Sequence, residues 1–217
     1  MSRKRVAVLI SGRGSNMAAL IEAAKDKNYP AEISLVVSNR ADAGGRVTAK
    51  AAGIATATVD HTMFGKDREA FERALQAVLE RHGIEIVCLA GFMRLLTPWF
   101  IGQWPERLLN IHPALLPAFK GLDTHKRALD AGVKIHGASV HFVVPEMDSG
   151  PIIMQGAARV KDGDSEASLA ARVLAVEHRI YPLALRLVAE GRVRVANGIC
   201  LIDGVQVPDA GELVPVL

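Results

Sequence analysis

Asn110 and His112, in the run Asn110-Ile111-His112-Pro113, and Asp148, in Asp148-Ser149-Gly150-Pro151, are the residues of this sequence whose types best fit a chemical step. Asn110 and His112 stand at the end of a mostly apolar run, Leu108 to Ile111. Residues two apart on a strand face the same side. Pro113 cannot donate to a ladder, so it marks the strand's end. An amide and an imidazole then sit side by side at a strand mouth, where open α/β sheets bind ligands. The amide is a neutral hydrogen-bond donor, and the imidazole carries a proton near neutral pH. Such a pair suits a reaction that passes through an oxyanion and delivers a proton to a leaving amine. A carboxylate beside the imidazole favours its charged form and raises its pKa.

The elements that must position these groups alternate. Val6 to Ile10 is a β-branched and aliphatic run fit for a buried parallel strand. Helical spacing follows from Ser15 to Lys27; strands are expected at Ile33 to Ser38 and Ala55 to Val59, around a short helix from Gly45 to Ala52. Asp67 to His82 has Phe71, Leu75, Val78 and Leu79 on one helical face, with Gly83 as a stop. Ile84 to Ala90 and Leu108 to Ile111 read as the fourth and fifth strands. This alternation predicts an α/β fold, a doubly wound, mostly parallel open sheet with helices on both faces. After Pro113, Lys134 to Val144 and Pro151 to Val160 read as a hairpin. A long helix from Ser165 to Glu190 is expected to be capped by Ser165 and to kink or end at Tyr181-Pro182. Val193 to Ala196 and Ile199 to Ile202 flank Asn197-Gly198, a hairpin turn signal. The tail, Asp203 to Leu217, is left between disorder and packing on a partner subunit.

Ser11-Gly12-Arg13-Gly14-Ser15-Asn16 lies between the first strand and the first helix, where backbone N–H groups and the helix dipole gather an anion. Met17 stands where a dinucleotide fingerprint needs a third small residue, and Ser38-Asn39-Arg40 stands where its acidic residue belongs. A phosphate monoester is the favoured ligand. An NADP site, with Arg40 on the 2′-phosphate, and a merely tight turn are the other readings.

The 217 residues are 50% hydrophobic and 23% charged, the balance of one globular domain, which excludes a disordered chain. The formal charge of +3 does not call for nucleic acid but helps to hold a small anion. No apolar run approaches the ~20 residues of a membrane span. The basic start and short apolar run read as a first strand, not a leader. Cys88 and Cys200 lack metal-ligand spacing, and Cys88 reads as a buried structural thiol. No disulfide framework is expected, which favours a cytoplasmic location. His136 and His141 are five apart and so on opposite strand faces, which argues against a metal pair. His141 shares a face with Ser139 and is placed to line the site. His61, His82 and His178 read as surface or structural, and His125 is ambiguous. Trp99 and Trp104 flank Pro-bounded turns and are expected to pack locally.

Six segments, in order along nearly the whole chain, together resemble the phosphoribosylglycinamide formyltransferases, folate-dependent enzymes of purine synthesis. They are Ile10 to Asn16, Leu89 to Arg94, Leu109 to Pro117, His136 to Phe142, Asp148 to Pro151 and Glu177 to Pro182. The resemblance implies transfer of the formyl group of 10-formyltetrahydrofolate to the amine of glycinamide ribonucleotide, with no metal. It implies Asn110, His112 and Asp148 as the catalytic set, and Gly14, Ser15, Asn16 and Glu177 on the ribonucleotide. It assigns Arg68, Met93, Arg94, Leu95, Leu96, Asn110, Val144, Pro145, Glu146, Met147 and Asp148 to the folate. Residues 1–217 then form a single domain, with a phosphate-binding half over 1–100 and a catalytic and folate-binding half over 101–217. The partners are the two substrates, with no nucleic acid or membrane, and the assembly is a monomer or homodimer. Arg13, Ala118 and Pro145 depart from common family residues. The rivals are another folate-dependent formyl enzyme, such as a hydrolase or a tRNA formyltransferase, a nucleotide-binding module without chemistry, and an NADP-dependent reductase.

Overall fold

The computed structural model describes residues 2–204, so most of the Asp203 to Leu217 tail lies outside the described residues. In chain order the elements are β1 Lys4–Ile10, α1 Ser15–Ala23, β2 Ala31–Ser38, α2 Gly45–Ala51, β3 Ala55–Thr58, a 3-10 turn His61–Phe64, and α3 Arg68–Arg81. Then come β4 Ile86–Leu89, α4 Pro98–Gln103, β5 Leu108–His112, α5 Thr124–Asp130, β6 Ile135–Phe142, β7 Ile152–Arg159, α6 Glu166–Ala189, β8 Val193–Ala196 and β9 Ile199–Ile202.

Alternation along the apolar strands divides the core into two layers. Val6, Val8 and Ile10 of β1, with Ile86 and Cys88 of β4, pack against Met17 and Leu20 of α1 and Leu169, Val173 and Leu185 of α6. Ala7, Leu9, Val87 and Leu89 point the other way, onto Phe71, Leu75 and Leu79 of α3 and Phe100 of α4. Each large apolar side chain so buried contributes about 1.5–3 kcal/mol, and a one-residue slip would forfeit a whole face. The seven strands run in the order β3-β2-β1-β4-β5-β6-β7. The pairs from β3 to β5 are parallel. β6 is antiparallel to both its neighbours. This is the expected doubly wound sheet, with its switch point between β1 and β4. Among the described residues no helix is long and apolar enough to cross a membrane.

The helix α6 reaches Ala189, close to the expected Glu190, and Pro182 lies inside it rather than ending it. Tyr181, Ala184 and Leu185 are fully buried on the sheet. The Tyr181 phenol donates to the Leu89 carbonyl at 2.9 Å. The Tyr29 phenol donates to the Pro182 carbonyl at 2.7 Å. These anchors carry the helix past the residue that lacks an N–H. Its start is as expected: Ser165 and Ser168 form a reciprocal capping box. The short helices α4 and α5 had no periodic signal in the sequence. Trp99 lies within α4 under the Arg73 guanidinium, 4.4 Å from the ring centre, so it packs locally but on a helix rather than a turn. The β8–β9 hairpin forms as its Asn197-Gly198 turn requires, both residues having positive φ. Cys88 is fully buried, and desolvation pushes its thiol up to about 12.

Close backbone approach explains two glycines in the β6–β7 hairpin. A Cβ on Gly137 would lie 2.0 Å from the Gly156 carbonyl oxygen, and one on Gly156 would lie 2.3 Å from a Val176 methyl of α6. Overpacking against backbone has no flexible neighbour to absorb it. Gly137→Ala is therefore expected to lower unfolding stability by about 3 kcal/mol. Equilibrium denaturant unfolding, compared with the exposed control Gly102→Ala, which meets nothing within 4 Å, checks it.

Candidate active site

Strand β5 ends where the sheet turns antiparallel, and this places the chemistry. Its register sets Asn110 opposite His141 and His112 opposite Ser139. His112 is buried, 5% exposed. Its Nε2–H donates to the Phe119 carbonyl at 3.0 Å, and its Nδ1 lies 3.4 Å from Asp148 Oδ2. Both ring nitrogens thus face oxygen acceptors, the arrangement a doubly protonated imidazole satisfies. The 3.4 Å separation exceeds the usual charge-assisted hydrogen bond of about 2.7–2.9 Å, a long contact of the kind that can tighten when a substrate binds.

Asp148 takes a left-handed conformation, φ 51°, which Asp tolerates better than most residues. Its carboxylate accepts the Gly121 N–H at 2.9 Å. His141 was placed on the site face by sequence, and it lies there. Its Nδ1–H donates to the Phe142 carbonyl at 2.8 Å. That leaves the Nε2 lone pair for an N–H of Asn110, 3.2 Å away. Desolvation lowers the His141 pKa, which keeps the ring neutral and in this tautomer. One Asn110 N–H is thereby committed and the other is free for a ligand.

A cavity of about 390 Å³ opens at the switch point, over the ends of β1 and β4. Ser11 to Asn16, Asn39, Arg40, His61, Gly91, Met93 and Arg94 line it. Gly14, φ 71°, delivers the chain into the N-terminus of α1. Arg40 is paired with Asp42 at 2.8 Å, whereas Arg13 is exposed to solvent. Arginines and backbone N–H groups around one opening suit an anion. Asn16 and Glu177 meet here from opposite ends of the chain: Asn16 Nδ2 donates to Glu177 Oε2 at 2.6 Å. Burial raises the Glu177 pKa, and Asn16 Oδ1 has no partner.

The structure thus brings together Asn110, His112 and Asp148, and separately Gly14, Ser15, Asn16 and Glu177. Met93, Leu95 and Met147 are 70%, 60% and 53% exposed, apolar surface of the kind that ligands cover. Leu96 packs at the margin of the α3 core layer. The Val144–Asp148 loop lies against the Phe119–Leu122 segment. Lys120 bonds Ser149 at 2.5 Å and pairs with Glu146 at 3.5 Å. Arg68 begins α3, exposed and outside the cavity lining. His61 is not only a surface residue, since it borders the cavity and its Nδ1–H donates to the Asn39 carbonyl at 2.9 Å. Phe119 and Gly121 also hold the site, yet no pattern in the sequence marked them. His136 packs edge-on against both His125 and Phe119, and burial lowers its pKa to about 4.

Known proteins share this sequence pattern and fold. Residues 4–185 match the formyl transferase family. The chain is 48% identical over 92% of its length to the human trifunctional purine biosynthetic protein adenosine-3, of which it spans 20%. It is 45% identical to the phosphoribosylglycinamide formyltransferase of Escherichia coli K12, covering 95% of this chain and 97% of that one. Its fold is similar to the crystal structure of glycinamide ribonucleotide transformylase 1 from Symbiobacterium toebii, with a TM-score of 0.89 and 44% identity over 92% of this chain and 94% of the other. The chain belongs to the formyl transferase family.

Proposed function

We propose that this protein transfers the formyl group of 10-formyltetrahydrofolate to the amine of glycinamide ribonucleotide. The observation that carries the reading is the meeting of Asp148 with His112, at 3.4 Å and beside the Asn110 amide, next to an anion-suited cavity. Attack of the amine on the formyl carbon builds negative charge on the formyl oxygen. The free N–H of Asn110 and protonated His112 stabilise that charge. His112 then gives its proton to the departing folate nitrogen, directly or through water, and the proton shed by the attacking amine restores the balance. Asp148 stabilises the imidazolium and, through the Gly121 N–H, stays fixed beside it.

Gly14, Ser15 and Asn16 take the ribonucleotide phosphate, with Glu177 on the same substrate. Arg68, Met93 to Leu96 and the Val144–Asp148 loop take the folate, the exposed Arg68 reaching its outer end. All these residues belong to one chain, so the reading holds for a monomer and for a homodimer. It treats 1–217 as one working unit, divided near residue 100, in the cytoplasm. No step calls on a metal, a membrane or a nucleic acid.

Formyl transfer from a 10-formyl folate to synthetic glycinamide ribonucleotide tests the assignment. His112→Ala is expected to lower kcat by about 10²–10⁴-fold. Asn110→Ala is expected to lower it by about 10²–10³-fold. Folate cleavage that does not need the ribonucleotide would instead assign a hydrolase. Folded protein with no turnover would return the chain to a binding module.

Glu177 yields a separate expectation in pH. Burial disfavours its carboxylate, so the folded protein holds this proton to higher pH than the unfolded chain, whose reference value is 4.5. The stability contributed by this group is full below that value and declines as pH rises through the raised one. Glu177→Gln should remove the decline, so that the variant's melting temperature minus the native protein's rises as pH increases from 4.5, while the ribonucleotide KM rises about tenfold or more. Thermal scans across pH, with steady-state kinetics, read both effects.

A further inference from the structure

The glycine loop and the Met93–Leu96 segment are joined by a hydrogen-bonded link that the formyl-transfer step does not use. Ser11 closes β1 and leads into Gly12-Arg13-Gly14. Its Oγ accepts the backbone N–H of Met93 at 2.8 Å and donates its proton to Asn39 Oδ1 at 2.6 Å. Its own N–H donates to the Gly91 carbonyl at 3.1 Å. With the hydroxyl proton committed to Asn39, a lone pair is left facing Met93. Asn39 is 2% exposed, and His61 Nδ1–H holds its main-chain carbonyl at 2.9 Å, so burial and that backbone contact confine the residue whose side-chain oxygen orients the hydroxyl.

The far end of the segment is pinned differently. Glu72 of α3 is 1% exposed and accepts the Thr97 N–H at 2.7 Å and the Thr97 hydroxyl as well. Between these two anchors Met93 and Leu95 stand out into solvent. Glu72 ties the Thr97 end to a packed helix. At the Met93 end the side-chain anchor is the Ser11 hydroxyl, beside the Ser11 N–H bond to Gly91, and Ser11 leads into the loop that carries Gly14, Ser15 and Asn16.

We propose that Ser11 is a positioning residue shared by the two substrate sites. Its side chain sets the place of the segment that receives the folate, and its backbone leads directly into the loop that receives the ribonucleotide phosphate. This rests on the reading of Met93 to Leu96 as folate-binding. It implies that the folate site is formed correctly only when the glycine loop holds its shape, and that losing the hydroxyl weakens folate binding more than it slows the chemical step.

The test compares the native protein, Ser11→Ala and Ser11→Thr, using steady-state kinetics with both substrates and calorimetric titration of tetrahydrofolate. Loss of one neutral hydrogen bond is expected to weaken tetrahydrofolate binding and raise the folate KM by about 5- to 10-fold. The kcat and the ribonucleotide KM should move by less, and Ser11→Thr, which keeps the hydroxyl, should restore the folate KM. Equal tetrahydrofolate affinity in the native and Ser11→Ala proteins overturns the role of Ser11 and leaves the folate reading standing. A change spread evenly over both KM values and kcat, tracking a lower melting temperature and not rescued by Thr, also overturns it as a merely structural effect. Native protein that binds no tetrahydrofolate overturns the folate reading and this inference with it.

Discussion

The antiparallel pairing of β5 with β6 is the constraint on which the site depends. Up to β5 the sheet is parallel, and its strand ends open in one direction over the glycine loop. By running the other way, β6 brings His141 beside Asn110, and the turn that follows it carries Asp148 back over His112. The register is fixed from both sides of the sheet, by Leu109 and Ile111 in one core layer and Leu108 in the other. The hydrophobic layers thus hold the polar groups in place.

Within that frame each reactive side chain is oriented by a backbone group. The Phe142 carbonyl decides the tautomer of His141, and His141 decides which way the Asn110 amide points. The Phe119 carbonyl and the Gly121 N–H do the same for His112 and Asp148. Phe119 and Asp123 have positive φ, as does Asp148, so the segments around the site hold sparsely populated backbone conformations. Such conformations persist where surrounding contacts over-determine them.

The sheet was legible in the sequence because its runs of Val, Ile and Leu are short, dense and punctuated by glycine. The pair Asn110 and His112 was legible because a strand's two-residue period makes them neighbours in space. Asp148 gained meaning only with the resemblance to known transferases, since a turn aspartate has many ordinary uses. The periodicity to Glu190 was legible, but that Pro182 would not end α6 was not, because this depends on Tyr181 and Tyr29 reaching distant carbonyls. Nor were α4 and α5, which are too short for an amphipathic period to show. The part of the site built by Phe119 to Gly121 was invisible for a related reason: its work is done by main-chain atoms, which every residue type possesses.

The two glycines of the β6–β7 hairpin bear on how the molecule tolerates change. With no side chain between Gly137 and Gly156, or between Gly156 and Val176, the hairpin and α6 meet backbone against methyl and form one slab. His141 rides on one part of that slab and Glu177 on the other. The span between the formyl-transfer end and the ribonucleotide end is therefore set by a backbone-to-backbone contact within the hairpin and a backbone-to-methyl contact onto α6. Core side chains elsewhere can drift in size over evolutionary time while that span remains the same.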